Sequence, residues 1–254
     1  RRTVLHVSLE LDPCGLCGLV VPQAPQTGDP RLSPLGGVIF DLDGTLYHEG
    51  PMRRRMLLEL GLGTLRLGLG LPRALGAWRK EREALRGEVF PTGLDLAQEQ
   101  LKRAAHRSGI PEPQIQTWVH QWMEQRPLRH LPSCAREDLR GTFEALSKGN
   151  ISIGVFSDHP VEEKLQALGV ADLVQASCCA TSEGVGAFKP DPRGFLLLAG
   201  RMGLVPEQVL VVGDRQDADG AGAQAAGMQF CLLGSAASGI QGLTEVLPLF
   251  NIKP

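Results

Sequence analysis

The chain has 254 residues, a hydrophobic content of 43% and a formal net charge of −2. This near-neutral balance argues against a nucleic-acid-binding surface, and no run of about twenty apolar residues predicts a membrane span. We therefore expect one large domain, or a core domain with a smaller one, that contacts neither nucleic acid nor membrane. The six cysteines, without an export signal, favour reduced thiols in a cytoplasmic protein. We expect a monomer or a homodimer.

Residues 1–36 are predicted to form an extended or poorly ordered leader. Five prolines interrupt them, and neither a helical nor a strand period persists. Cys14 and Cys17 form a Cys-x-x-Cys pair in this segment. A zinc site needs four ligands, and no second pair follows at a matching spacing. Two thiols in a loop are therefore the preferred interpretation.

The next segments predict one strand followed by a helical block. The short apolar run 38–40 is typical of a buried parallel strand that ends in a loop. Residues from about 51 to 129 have helical spacing almost throughout, with prolines at helix starts or breaks. The block also holds the chain's tryptophans, which we expect in a hydrophobic core rather than in a ligand cage: Trp78, Trp118 and Trp122.

After residue 132 helices and strands alternate. The predicted helices are 136–147, 161–168, 192–202 and 218–226, and the predicted strands are 151–156, 173–176, 209–212 and 229–233. This alternation predicts an α/β fold with a doubly wound parallel sheet. Because the helical block follows the first strand, we expect an all-helical cap at 52–130 inserted into a catalytic core at 37–51 and 131–254.

Chemically active side chains follow the predicted strands, where sites of open parallel sheets form. Asp41 and Asp43 come directly after the first strand. One carboxylate can attack phosphorus, and the other can protonate the leaving alkoxide and then take a proton from water. Such close like charges need a cation, and Mg²⁺ prefers oxygen ligands. An isolated Asp-x-Asp would instead favour a helix cap or a solvated turn.

Three further strand ends carry polar residues. The hydroxyl of Ser157 could donate to a phosphoryl oxygen, although alone it favours a turn residue. Lys189, in a proline-flanked loop, could offset charge on a nucleophile and a phosphoryl group. Asp214 could complete a Mg²⁺ site with Asp41 and the backbone carbonyl of Asp43. The glycines that follow, Gly220 and Gly222, do not have the position or spacing of a dinucleotide fingerprint, and close helix–sheet packing explains them better.

Taken together, these features resemble the four motifs of the haloacid dehalogenase superfamily. The motifs are Asp41-x-Asp43-Gly44-Thr45-Leu46, then Ser157, then Lys189-Pro190, then Gly213-Asp214-x-x-x-x-Asp219. The match covers about residues 37–51 and 131–233. The resemblance implies a Rossmann-like core, an aspartyl-phosphate intermediate and a Mg²⁺ cofactor.

The resemblance also implies a role for each motif residue. Asp41 would be the nucleophile and a Mg²⁺ ligand, and Asp43 the general acid and base and a ligand through its carbonyl. Asp214 would bind the metal, with Asp219 supporting it or sharing in binding. The residues expected to contact the phosphate group are Gly44, Thr45, Ser157, Asp158 and Lys189.

Asp43 indicates the phosphatase branch, because the dehalogenases that attack carbon lack this second carboxylate. The expected function is hydrolysis of a small phosphorylated metabolite, with specificity supplied by the cap. One alternative is another reaction of the superfamily: a phosphomutase, carbon–halogen cleavage, or phosphonate cleavage with a cap lysine, Lys80 or Lys102, as Schiff-base former. A further alternative is a non-catalytic binding module that retains the fold.

Two features depart from the usual pattern of the superfamily. Ser157 is followed by Asp158 and His159, where Asn or a small residue is frequent. The cap also carries many arginines, most of which we expect on a solvated face, while a few could attract an anionic substrate: Arg53, Arg54, Arg55, Arg66, Arg73, Arg79, Arg82 and Arg86.

Overall fold

The structure is a computed structural model that describes residues 34–86, 88, 94–234 and 239–253. Most of the predicted leader, with Cys14 and Cys17, lies outside the described residues. Within them, five parallel strands form one sheet in the order β3-β2-β1-β4-β5. The strands are β1 (Gly37–Phe40), β2 (Ser152–Ser157), β3 (Ala176–Cys179), β4 (Val209–Gly213) and β5 (Gln229–Leu232). The predicted α/β fold with a parallel sheet is confirmed.

Nine α-helices are described, and six of them lie between β1 and β2, the first five of which form the inserted helical block. These are α1 (Glu49–Leu67), α2 (Gly70–Leu85), α3 (Leu96–Ser108) and α4 (Glu112–Val119), which continues through a π-helical stretch, His120–Gln125, into the short α5 (Arg126–Leu128). The others are α6 (Leu139–Lys148), α7 (Glu162–Ala167), α8 (Arg193–Arg201) and α9 (Ala221–Ala225). No helix in the described ranges is long and apolar enough to cross a membrane.

Side chains of a strand alternate between the two faces of the sheet, and both faces are buried in this protein. Phe40 of β1 lies on one face and stacks on Phe143 of α6, with ring centroids 5.0 Å apart. Ile39 lies on the other face, in the same cluster as Phe156 of β2 and Phe195 of α8. Helices therefore cover both faces, as the doubly wound prediction requires.

The inserted helices have a hydrophobic core of their own. Leu71, Leu75, Ile115 and Trp122 are buried together there. Trp122 is 4% exposed, as expected for a tryptophan of the helical block. A smaller cluster around Leu85, which also contains Leu96 of α3 and Phe188 of the core, joins these helices to the sheet domain.

Two predicted elements were wrong in position. The third strand begins at Ala176, where the predicted strand 173–176 ends, and Leu173 belongs to a 3₁₀ turn instead. Pairing with β2 selects the small residues of β3, whose own strand propensity is weak. Helix α9 begins at Ala221 rather than at 218, because a π-helical turn, Gln216–Gly220, precedes it.

Candidate active site

The predicted site residues meet at the carboxyl edge of the sheet. Asp41 directly follows β1 and its backbone N–H donates to Val212 O of β4 at 2.8 Å. Ser157 ends β2, and Asp214 directly follows β4. The strand order changes side between β1 and β4, because β2 and β3 lie on one side of β1 and β4 and β5 on the other, and open α/β sheets form their crevice at such a point.

Asp41 is buried and held by two donors. Lys189 Nζ lies 2.6 Å from its Oδ1, and Thr45 Oγ1 donates to its Oδ2 at 3.0 Å. Burial raises the pKa of Asp41 well above its usual range, while the Lys189 ammonium acts in the opposite direction. A nucleophilic carboxylate must be ionised, and a cation bound nearby would favour that form of Asp41.

A buried acidic cluster beside Asp41 fits a cation. Ligand oxygens of Asp41, Asp214 and Asp219 all lie within 4.8 Å of one another. Asp214 Oδ1 is buried and has no hydrogen-bond partner among the described residues. Burial, with Asp219 and Glu49, raises the pKa of Asp214 to about 6. An oxygen-only donor set with an unpartnered buried carboxylate suits a hard ion such as Mg²⁺.

Both carboxylate oxygens of Asp219 accept hydrogen bonds from the protein, in contrast to Oδ1 of Asp214. Lys189 Nζ donates to Asp219 Oδ1 at 2.7 Å, and the Arg215 N–H donates to Oδ2 at 3.1 Å.

The loop after β1 closely approaches this group of acids. Gly44 has a φ of +96°, and a Cβ there would come within 2.2 Å of Asp214 Oδ2. Glycine is therefore required where these two loops meet.

Asp43 is held on three sides. Tyr47 Oη and Lys164 Nζ each lie 2.5 Å from its Oδ1, and Ser157 Oγ donates to its Oδ2 at 2.9 Å. Burial raises the pKa of Asp43, but Lys164 and the other donors outweigh burial and hold the pKa well below its usual range. The side chain that was predicted as general acid and base is therefore ionised in this arrangement.

Asp158 connects the catalytic loops to the inserted helices. Its Oδ1 accepts from the Lys189 N–H at 3.1 Å, and its Oδ2 forms an ion pair with Arg86 of α2. Arg86 also donates to the Lys189 carbonyl at 3.1 Å. Both oxygens of Asp158 are thus used to hold Lys189 and α2. The predicted contact of Asp158 with phosphate stays a prediction.

These residues line the floor of a cavity of about 490 Å³ beneath the inserted helices. The cavity is large enough for a small ligand. Of the eight cap arginines noted above, four line it: Arg53, Arg79, Arg82 and Arg86. The two cap lysines considered for Schiff-base chemistry, Lys80 and Lys102, are exposed and are not part of its lining.

Tyr47 and Lys164 were not identified from the sequence. Lys164 carried a signal, because Val161, Lys164, Leu165 and Leu168 have the i, i+3, i+4, i+7 spacing of one helical face. The other three are buried apolar residues. A lysine on the apolar face of a helix beside a strand end needs a buried acidic partner. For Tyr47, the only signal in the sequence was its position four residues after Asp43.

Comparison with known proteins gives matches over most of this chain. A family model for haloacid dehalogenase-like hydrolases matches residues 35–227. A phosphoglycolate phosphatase of Salmonella choleraesuis is 28% identical over 211 residues, which cover 78% of this chain and 80% of that protein. A glyceraldehyde 3-phosphate phosphatase of Methanopyrus kandleri is 32% identical over 201 residues, which cover 75% of this chain and 80% of that protein.

Solved structures show the same fold. The crystal structure of a 2-haloacid dehalogenase from Pseudomonas syringae has a TM-score of 0.62 and 22% identity, and the match covers 85% of this chain and 98% of that one. At this identity the likeness supports the fold alone. The family model, in contrast, spans more than half of the chain and includes all four strand ends of the site. The chain therefore belongs to the haloacid dehalogenase-like hydrolases.

Proposed function

We propose that this chain is a Mg²⁺-dependent phosphatase that hydrolyses a small phosphate monoester through a phosphorylated Asp41. The observation that carries the proposal is the pairing of Asp41 with Lys189 beside the unpartnered oxygen of Asp214. Asp43, which the resemblance associates with attack on phosphorus rather than carbon, lies two residues further on. The names of the two relatives, phosphoglycolate phosphatase and glyceraldehyde 3-phosphate phosphatase, support a small phosphorylated metabolite as substrate.

Asp41, Asp214 and the backbone carbonyl of Asp43 would hold the Mg²⁺ ion, with Asp219 in support. When bound, the ion would supply positive charge that offsets the carboxylates and the phosphoryl oxygens. Asp219 is the less direct ligand in this proposal because Lys189 and a backbone N–H already occupy its two oxygens.

The reaction needs two displacements at phosphorus. In the first, Asp43 takes up a proton from solvent, an Asp41 oxygen attacks phosphorus, the ester P–O bond breaks, and Asp43 gives its proton to the leaving alkoxide. In the second, Asp43 takes a proton from a water molecule, whose oxygen attacks phosphorus and breaks the bond to Asp41. Inorganic phosphate leaves, Asp43 gives the proton to solvent, and Asp41 and Asp43 return to their starting states.

The remaining predicted residues surround the position of the phosphoryl group. We assign its oxygens to the Lys189 ammonium, the Ser157 hydroxyl and the loop at Gly44 and Thr45. Lys189 remains an ammonium group. Burial lowers its pKa, but Asp41 and Asp219 raise the pKa by more than burial lowers it. Asp158 acts next to this group by holding Lys189 through its backbone N–H. Residues 52–130 serve as the cap.

The proposal is tested by Asp41→Asn, which replaces the attacking oxygen by an amide. We expect phosphate release from 4-nitrophenyl phosphate in Mg²⁺ to fall by about three orders of magnitude or more, because an amide is a poor nucleophile. Asp172→Asn is the matched control, since Asp172 is a 62% exposed partner of Arg140 far from the cavity. The control should retain activity within about twofold.

Three results would count against the proposal. They are equal activity of Asp41→Asn and the wild type, equal losses in both variants, or turnover that persists after removal of divalent cations by chelation. Acid-quenched protein should carry phosphate that hydroxylamine releases, as expected of an acyl-phosphate.

A further inference from the structure

One face of α2 presents arginines to the cavity. Leu75, Arg79 and Arg82 have the i, i+4, i+7 spacing of a single helical face, Arg86 directly follows the helix, and all four line the cavity. With a rise of about 1.5 Å per residue, Arg79 lies about 10 Å from Arg86 along the helix axis. Arg86 is the member nearest the floor, where it contacts the Lys189 loop.

The cations at the floor of the cavity have carboxylate partners. Lys189 pairs with Asp41 at 2.6 Å, and Lys164 pairs with Asp43 at 2.5 Å. Two arginines of the lining are paired in the same way, Arg86 with Asp158 and Arg53 with Glu49. The positive charge of these groups is therefore offset by the protein.

Arg79 and Arg82 differ from the other four cations. Within the ranges that the structure describes, no carboxylate lies at ion-pair distance from Arg79, whose one hydrogen bond goes to Met123 Sδ at 3.5 Å. The side chain of Arg82 is 16% exposed, and its ion pair is the long contact of Nε with Glu83 Oε1 at 3.5 Å, on a glutamate that is 50% exposed. Arg82 Nε is buried and donates no hydrogen bond to any described residue.

The ring that Arg82 contacts does not offset its charge. Arg82 lies against His159 Nε2, and burial, with Arg82 and Lys164, lowers the pKa of His159 to about 3. The ring is therefore neutral at physiological pH. Burial and the neighbouring Arg82 and Arg53 also lower the pKa of Arg79. Arg79 thus faces the cavity with no carboxylate at ion-pair distance among the described residues, and Arg82 faces it with only the long ion pair to Glu83.

We propose that Arg79 and Arg82 bind a second anionic group of the substrate, carried by the leaving-group alcohol. The preferred substrates are then phosphate esters of small hydroxy acids or of other alcohols that bear an anion. A guanidinium pairs with a carboxylate or phosphoryl group through two parallel hydrogen bonds, which an uncharged leaving group does not provide. The inference rests on the proposed function, since it places the phosphoryl group at Asp41.

The test compares ω-phosphooxy carboxylic acids of two to four carbons with the corresponding carboxamides, which have the same shape without the charge. For the best chain length, we expect kcat/KM of the acid to exceed that of the amide by about tenfold to a hundredfold. Arg79→Met and Arg82→Met should each lower this acid-to-amide ratio by about tenfold. An ω-phosphooxy alkyl phosphate in the same series identifies a preference for phosphate over carboxylate.

Arg73→Met is the matched control. Arg73 is an exposed arginine of the same helix that does not line the cavity, and its replacement should leave the acid-to-amide ratio unchanged. Acid-to-amide ratios within twofold of one at every chain length would overturn the inference while the proposed function stands. A ratio that Arg73→Met lowers as much as Arg79→Met would also overturn it.

A binding measurement separates this inference from the proposed function. If the wild type hydrolyses none of the esters, the proposed function fails, and the inference is decided by calorimetric titration with the non-hydrolysable ω-phosphono acids and their amides in Mg²⁺. Tighter binding of the acid, weakened in Arg79→Met, supports it. Equal affinity for acid and amide overturns it.

Discussion

Lys164 Nζ lies 2.5 Å from Asp43 Oδ1, and the two side chains are 8% and 21% exposed. This pair stabilises Asp43 as a carboxylate, the form that accepts a proton from water in the second displacement. The first displacement requires Asp43 to deliver a proton. Lys164 therefore sets the balance between the two roles proposed for Asp43.

Lys164→Met should move the pH profile of kcat to higher pH. Burial raises the pKa of Asp43 and Lys164 lowers it, so loss of the ammonium leaves burial as the stronger effect and the pKa rises. We expect the acidic limb of the profile to move to higher pH by about one unit or more. The measurement is kcat for an aryl phosphate between pH 5 and 9.

Lys148→Met is the control, because Lys148 is an exposed residue in the last turn of α6. Its profile should coincide with that of the wild type. A profile of Lys164→Met that also coincides with the wild type would show that Lys164 does not act on Asp43.

Much of the site could be predicted because parallel strands bring their carboxyl ends to one edge. Asp41, Ser157 and Asp214 are far apart in the chain, yet each lies at the end of an apolar strand, and Lys189 lies in the loop that follows β3. The alternation of strands and helices therefore predicted their proximity without any knowledge of side-chain contacts. Their roles in catalysis remain predictions that the experiments above test.

Other features depend on tertiary contacts that a linear pattern does not contain. The position of β3 follows from its register with β2, since Ala176 pairs with Gly154. Of the arginines on α2, only the direction in which the helix packs separates Arg79 and Arg82, which line the cavity, from Arg73, which does not. To predict Lys164 as a site residue, one would have had to recognise a single charged residue within an apolar helical face.

Asp214 should make the effect of Mg²⁺ on stability depend on pH. Its pKa is raised from 3.8 to about 6 in the folded protein, so the folded state binds the proton more tightly than the unfolded state. Without metal, stability should fall as pH rises from about 4 to about 6. The shift corresponds to about 3 kcal/mol, of which solvent screening at this partly exposed group leaves about 1 to 2 kcal/mol.

Mg²⁺ binds the ionised carboxylate, so the rise in Tm that it causes should be small at pH 5 and larger at pH 7.5. Asp214→Asn should abolish this rise and also remove the loss of metal-free stability between about pH 4 and 6. Asp217→Asn, at a 73% exposed residue of the same loop, is the control and should retain both effects. A Mg²⁺-induced rise in Tm that persists in Asp214→Asn would place the metal elsewhere.

Two glycines of α8 should respond in opposite directions to alanine. A Cβ at Gly194 would come within 2.2 Å of the Phe156 ring, whereas a Cβ at Gly200 meets nothing within 4 Å. Gly194→Ala should lower the free energy of unfolding by about 1 to 3 kcal/mol through overpacking. Gly200→Ala should raise it by about 0.5 kcal/mol, because alanine restricts the unfolded chain and favours helix. Urea unfolding followed by circular dichroism measures both changes.

Gly194→Ala should affect the site as well as the fold. The Phe156 ring lies between α8 and Lys189, with its centroid 4.9 Å from Lys189 Nζ and 4.9 Å from the Phe195 centroid. A ring displaced by the new methyl group would press on the lysine that holds Asp41, so we expect kcat to fall together with stability. Equal free energies of unfolding for the Gly194→Ala and Gly200→Ala variants would show that Phe156 has room to move, and unchanged kcat in Gly194→Ala would show that its ring does not position Lys189.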